Sequence, residues 1–303
     1  MKKVKKSDKI KEVKLNEETQ LKVTNDYIFK KIFAKKGNES ILKDLLNAIL
    51  GIKIKEIEVM ADTNLEKEIE TRKLGILDIK AVLNNDTIID IEIQILNRHN
   101  MIERTLYYWS GLYYNQLQKG EEYQESKRVI AINILDYNEF QEGPYHEIAK
   151  LRREYLYKIL TDKIEIHFIQ IPKFKKQRKD MKTKLDIWME FISHIDKEGV
   201  ENAMSKNKEI KKAQEEYEYL TGEENERRIA FLMDKAIRDE KSAYVGGKQD
   251  GIKEGIKLGR KDGEKIGEQK KQKEIAKKMK EEKVDIELII KVTGLNKKQI
   301  EDL

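Results

Sequence analysis

The chain predicts an α/β domain followed by a helical C-terminal region. Three observations carry that reading. Short apolar-rich runs of strand length alternate with segments of helical periodicity up to about residue 172. Only two prolines, Pro144 and Pro172, interrupt 303 residues, so few breaks are forced on helices. Charged residues make up 39%, as much as the hydrophobic ones, which is high for a compact globule and points to long solvated helices.

Residues 1–20 read as a disordered basic head. Thr24-Asn25-Asp26 offers a helix N-cap, and Tyr27, Ile28, Phe29, Ile32 and Phe33 give the first helical stripe. Ile41, Leu42, Leu45, Leu46, Ile49 and Leu50 repeat at three and four, a second helix stopped by Gly51. Residues 52–59 alternate as a strand. GILDIKAVL (75–83) and TIIDIEIQIL (87–96) are two further strands joined by Asn84-Asn85-Asp86. Ile102, Leu106, Trp109, Leu112, Tyr113 and Leu117 mark an amphipathic helix closed by Gly120. Residues 129–135 form a continuous apolar run, read as a buried strand, and residues 164–171 alternate as another.

Beyond residue 172 the pattern is helical. Residues 173–184 hold seven Lys+Arg against one Asp, and residues 185–245 carry apolar helical faces. Gly247, Gly251, Gly255, Gly259, Gly263 and Gly267 then recur every fourth residue. Each Gly inside a helix costs up to about 1 kcal/mol relative to Ala, so six cost roughly 5 kcal/mol. The stretch is therefore a flexible tether, or a stripe against which another helix packs in a homo-oligomer. Residues 284–303 read as helix, Gly turn and short helix, in outline a minimal helix-turn-helix or an inert cap.

Asp78, Glu92 and Gln94 are the candidate chemical constellation. Strand alternation puts Asp78 and Lys80 on one face of their strand, and Asp90, Glu92 and Gln94 on one face of the next. A hairpin joining these strands brings the acids side by side. Like-charged carboxylates repel unless a cation holds them. Oxygen ligands of this kind suit Mg²⁺ or Mn²⁺ rather than zinc. From spacing alone the commoner reading is plainer: acids alternating with isoleucines are the wet face of a half-buried strand.

Composition narrows the class. There are no cysteines, which excludes disulfides, zinc fingers and thiol nucleophiles. The four histidines are scattered without metal-ligand spacing. No apolar run approaches a membrane span, and the basic head lacks the apolar region of a signal peptide, so the expectation is a cytoplasmic protein with no membrane partner. The net charge of +6 is uneven: residues 1–14 carry +5, residues 246–303 carry +4, and the middle carries −3. Any DNA contact is therefore local.

The chain resembles the Rpn-type recombination-promoting nuclease and transposase family, within the PD-(D/E)XK nuclease superfamily. The matching residues are NDYIFKKIF (25–33), the acid in ILDIKA (76–81), IDIEIQ (89–94), RTLYYWSGLYYNQLQKGEEY (104–123) and VIAINILDY (129–137), in that order over roughly residues 22–170. The resemblance implies a restriction-endonuclease-like mixed sheet flanked by helices, followed by the helical C-terminal region. It implies a metal-dependent DNA endonuclease associated with recombination or transposition, with Asp78 and Glu92 as Mg²⁺ or Mn²⁺ ligands. Gln94 stands where the superfamily usually places Lys; it can position water or a phosphate oxygen but carries no charge. Lys80 is the candidate replacement cation. Asp26 matches the family's early acidic motif, with a plain N-cap as the other reading. Arg104 reaches a phosphate or braces its helix, and Lys173, Lys175, Lys176, Arg178 and Lys179 are candidate DNA-backbone contacts or a solvated loop. The expected segments are a head (1–20), a nuclease-like domain (21–172), a helical region (173–245), the glycine repeat (246–270) and a small helical tail (271–303). Two other classes stay open: a nuclease-fold DNA-binding or assembly protein with weak or no activity, and a helical adaptor acting through its C-terminal half.

Overall fold

The computed structural model describes residues 21–60, 79–177, 182–194 and 196–303. The expected basic head and Asp78, Arg178 and Lys179 lie outside the described residues. The chain divides into two compact units, residues 1–237 and 238–303.

The first unit is built on a six-stranded mixed sheet. In chain order its strands are β1 (Ile57–Val59), β2 (Ile79–Leu83), β3 (Thr87–Gln94), β4 (Arg128–Leu135), β5 (His146–Lys150) and β6 (Ile164–Gln170). They lie side by side as β1-β2-β3-β4-β6-β5. β1, β2 and β3 form an antiparallel meander, β3, β4 and β6 are parallel, and β5 returns antiparallel on the edge. The β2–β3 turn carries left-handed backbone at Asn84 and Asn85, the residue type that enters that region most easily after glycine. Asn84 also accepts from the backbone amides of Lys55 and Glu56, which ties the turn to the chain entering β1.

Alternation sorts the two faces of the sheet. Ile89, Ile91 and Ile93 of β3 and Ile130, Ile132 and Ile134 of β4 bury themselves in the main core. Helices α1 (Asp26–Ala34) and α2 (Glu39–Leu50) contribute Phe29, Phe33, Leu42 and Leu45 to the same core. The core does not stop near residue 172. Leu185, Trp188 and Ile192 of α5 (Lys184–Ser193), Ala203 of α6 (Lys197–Lys206) and Ile210 of α7 (Lys208–Gly222) belong to it. Trp188 is fully buried, and its indole N–H donates to Asp44 at 2.9 Å, so even this polar atom is satisfied.

The opposite face is covered by α3 (Met101–Tyr114). Met101 packs with Ala131, Leu135, Ile166 and Phe168, and Trp109 Nε1 donates to the Val129 carbonyl at 2.9 Å. The acidic face of β3 therefore is not the wet surface that spacing suggested: Asp90 and Glu92 are only 6% and 5% exposed. β6 leads directly into α4 (Ile171–Gln177) and the helices beyond.

The helix α8 (Glu224–Glu281) runs without interruption through all six repeated glycines. Once flanking turns have nucleated a helix, each further residue adds one hydrogen bond, so the glycines weaken the segment without ending it. Arg260–Glu264 at 3.2 Å and Lys253–Asp250 at 3.7 Å are ion pairs along it. A Cβ built on any of these glycines meets nothing within 4 Å among the described residues.

Within the second unit, α9 (Ile286–Thr293) and α10 (Lys297–Glu301) close a small cluster of Ala276, Ile289, Leu295 and Ile300. Gly294 supplies the left-handed turn between them, and Asn296 with Gln299 forms a capping box on α10. No described helix is long and apolar enough to cross a membrane.

Candidate metal centre

The carboxyl ends of the parallel strands β3 and β4 are where side chains from three elements converge. Glu92 comes from β3 and points to the α3 side. Arg104 on α3 donates through Nε to Glu92 Oε1 at 2.8 Å. The Arg104 guanidinium also lies over the Tyr108 ring, 4.9 Å from its centroid. Sequence reasoning offered Arg104 a phosphate or a bracing role; the structure gives it the buried acid as partner.

Asp26 begins α1, yet it is not the cap. Asn25 takes that role, its Oδ1 accepting from the amides of Tyr27 and Ile28 at 3.1 and 3.2 Å. The capping alternative for Asp26 is thereby corrected. Asp26 Oδ1 is shut from solvent and has no hydrogen-bond partner among the described residues. Burial, and secondly the charge of Glu92, push its pKa up to about 7. An acid strained in this way, next to another acid, is what a functional centre tends to contain.

That shift makes a testable statement about the metal-free protein. The folded value lies above the ordinary 3.8, so Asp26's contribution to stability is full below pH 4 and is lost as pH rises through 7. Asp26→Asn should raise the melting temperature more at pH 8 than at pH 5, by up to about 2 kcal/mol of extra stability. An equal gain at both pH values overturns this account.

Gln94 follows on the same face of β3, and its amide donates to the Leu96 carbonyl at 3.0 Å. Its carbonyl oxygen can still accept or ligate. Lys80 pairs in register with Asp90 across β2 and β3 and is half-buried. The β2–β3 register as described begins at Ile79 opposite Ile91.

Two neighbours were missed from the sequence. Asn133 sits opposite Glu92 in the β3–β4 register, accepts from Thr105 Oγ1 at 3.1 Å and donates to the His167 carbonyl at 3.2 Å. Tyr137, just past β4, is held protonated by burial first and then by the charges of Glu139 and Glu92, against the opposing pull of Arg104. Both lie in the VIAINILDY segment, but nothing in its pattern separates them from ordinary strand residues.

Of the basic run, Lys173 turns inward: it is 5% exposed and its ammonium donates to the Glu142 carbonyl. Lys175 and Lys176 are exposed. Two of the four histidines, His146 and His167, meet in space. His167 Nδ1 and His146 Nε2 are 2.8 Å apart, and His167 Nε2 meets Glu165 Oε1 at 2.8 Å. Arg128 and Lys150 complete the network on the other oxygen of Glu165.

Asp26 and Glu92 supply hard anionic oxygens with one buried oxygen unsatisfied, a donor set that fits a small divalent cation. Among the described residues no group of three or more acids, histidines or cysteines is placed to hold a metal ion.

A mixed sheet with flanking helices, acids on the third strand and a C-terminal helical region is the restriction-endonuclease-like fold of the PD-(D/E)XK nucleases. The family of PD-(D/E)XK nuclease family transposases matches residues 23–246, and the chain belongs to it. No curated protein and no solved structure gives a significant match.

Proposed function

We propose that the protein is a DNA endonuclease that hydrolyses phosphodiester bonds with Mg²⁺ or Mn²⁺, acting in recombination or transposition, with Asp78 and Glu92 as metal ligands. The observation that carries this reading is the enclosed Asp26–Glu92 pair, which keeps two acids together at a strand end where one is pushed towards neutrality. PD-(D/E)XK nucleases generally use divalent metals, which supports the choice of cofactor.

When bound, the ion supplies charge to offset a developing phosphate oxyanion and to acidify water. The chain's own residues do the rest. Glu92 and Asp26 concentrate negative charge at one point, and Asp26 can hold a proton there near neutral pH. Gln94's carbonyl oxygen orients water. Arg104, which is paired with Glu92 at 2.8 Å, is one charge that would face a phosphate there. Lys80 is the other, standing in for the lysine that Gln94 replaces. Exposed Lys175 and Lys176 would track the backbone of DNA outside the centre.

The second reading, a nuclease-fold binding or assembly protein with weak turnover, is favoured by one observation. Gln94 has no charge, and its amide is turned back onto the Leu96 carbonyl. Lys80→Ala separates the two. If Lys80 supplies the missing cation, the variant should lose at least about 100-fold in Mg²⁺-dependent plasmid nicking while keeping its fold. Nicking at the wild-type rate removes Lys80 from the centre. Absence of nicking in the wild type under any divalent ion selects the binding reading.

A further inference from the structure

On the side of the sheet that Glu92 faces, a groove of about 830 Å³ opens between β2–β3 and α3. Lys80, Met60 and Ile88 form one wall, and Tyr107, Tyr108 and Tyr114 stand on the other. Tyr107 and Tyr114 are 75% and 82% exposed, an unusual position for two large rings on one helix. Tyr107 packs edge-on to Tyr108, with centroids 5.7 Å apart, and Tyr108 in turn carries the Arg104 guanidinium that reaches Glu92. Tyr107, Tyr108 and Arg104 thus form a chain of contacts from open solvent to Glu92. Lys80 gives the groove a positive charge, and no carboxylate lines it among the described residues.

We propose that this groove binds the unpaired bases of a single-stranded or frayed DNA segment, stacking them on Tyr107 and Tyr114. The proposal rests on the nuclease reading for where the reacting phosphate lies, and it adds the substrate form. Bases inside a duplex have both faces covered by their neighbours, so exposed rings gain nothing from them; unpaired bases present a free face to an aromatic platform. The charge fits the same occupant: a cation and tyrosine hydroxyls on the walls suit a polyanion. The volume lies in the range of built ligand sites.

The test is fluorescence anisotropy in EDTA, where cleavage plays no part. The probes are a 5′-fluorescein dT single strand of about 20 nucleotides, the same length of duplex, and a single strand with abasic spacers in place of its central bases. The full-length protein should bind dT at least about 10-fold more tightly than the duplex or the abasic strand. Tyr107→Ala and Tyr114→Ala should each weaken dT binding by about 5- to 100-fold. Tyr107→Phe should restore it, because stacking needs the ring and not the hydroxyl. Equal affinity for dT and the abasic strand, or Ala variants that bind dT like the wild type, overturns the proposal, as does a groove that takes no DNA strand. Failure of plasmid nicking would count against the nuclease reading alone, since these measurements do not depend on it.

Discussion

Glu92→Gln is expected to cut Mg²⁺-dependent plasmid nicking at least about 100-fold while leaving the fold intact. Glu92 is 5% exposed and is the acid that both Arg104 and Asp26 respond to. The amide keeps the shape and an oxygen for Arg104 Nε, so packing around β3 should change little. What it removes is the negative charge that attracts a divalent cation. The same substitution has a second readout that needs no activity. Glu92's charge is the lesser of two causes that raise Asp26, the greater being burial. In Glu92→Gln the Asp26 pKa should therefore fall from about 7 yet stay above the ordinary 3.8, as followed by NMR titration of the carboxyl. An Asp26 titration that does not move, together with undiminished nicking, would place the centre elsewhere.

His167→Ala should destabilise the protein by about 1–3 kcal/mol in urea unfolding. His167 is 1% exposed and joins Glu165 on β6 to His146 on β5. Its loss leaves Glu165 with Arg128 and Lys150 alone and removes the side-chain link to His146 on the edge strand. The pH dependence of stability tests the same network. Hydrogen bonding from His167, then from Lys150, outweighs burial and holds Glu165 down at about 2, so its contribution is present above the ordinary 4.5 and is lost as pH falls through about 2. Burial, with the neighbouring His167, holds His146 down at about 4. Its neutral form is the one the fold accepts, so stability is full above about 6.5 and declines as pH falls towards 4. In an Asp26→Asn background, which removes the opposite pH dependence of that carboxyl over the same range, stability should begin to drop near pH 6.5, and His146→Phe should remove that phase. A curve in that background that stays flat between pH 7 and pH 5 would show that His146 is not buried in this way.

Much of the fold was legible because its signals are local. β3 and β4 announce themselves through isoleucines at alternate positions or in an unbroken run, and α2 through leucines at three and four followed by Gly51. β5 was not legible. HEIAK has one large apolar residue, and that residue, Ile148, is half exposed. The segment is a strand because β6 offers it a ladder and because His146 finds His167, neither of which its own five residues record. The strand expected over residues 52–59 shrinks to Ile57–Val59, since only that part has a partner in β2. The covered acid face of β3 was also misjudged by spacing alone, because alternation fixes which residues share a face and not what lies over it.

The sequence by itself determined the order of elements, the acid-bearing strand and the ordered set of motifs that places the chain among PD-(D/E)XK nuclease family transposases. Those are properties of neighbours along the chain, where periodicity and motif spacing act. Only the tertiary structure decided that Asp26 belongs with Glu92 and that Arg104 is its counter-ion. It also set Asn133 and Tyr137 beside them, and it opened a groove of tyrosines on the side of the sheet that Glu92 faces. Each of those depends on groups far apart in sequence meeting in a poorly solvated space. There, charge and hydrogen bonding act over distances that no local pattern encodes.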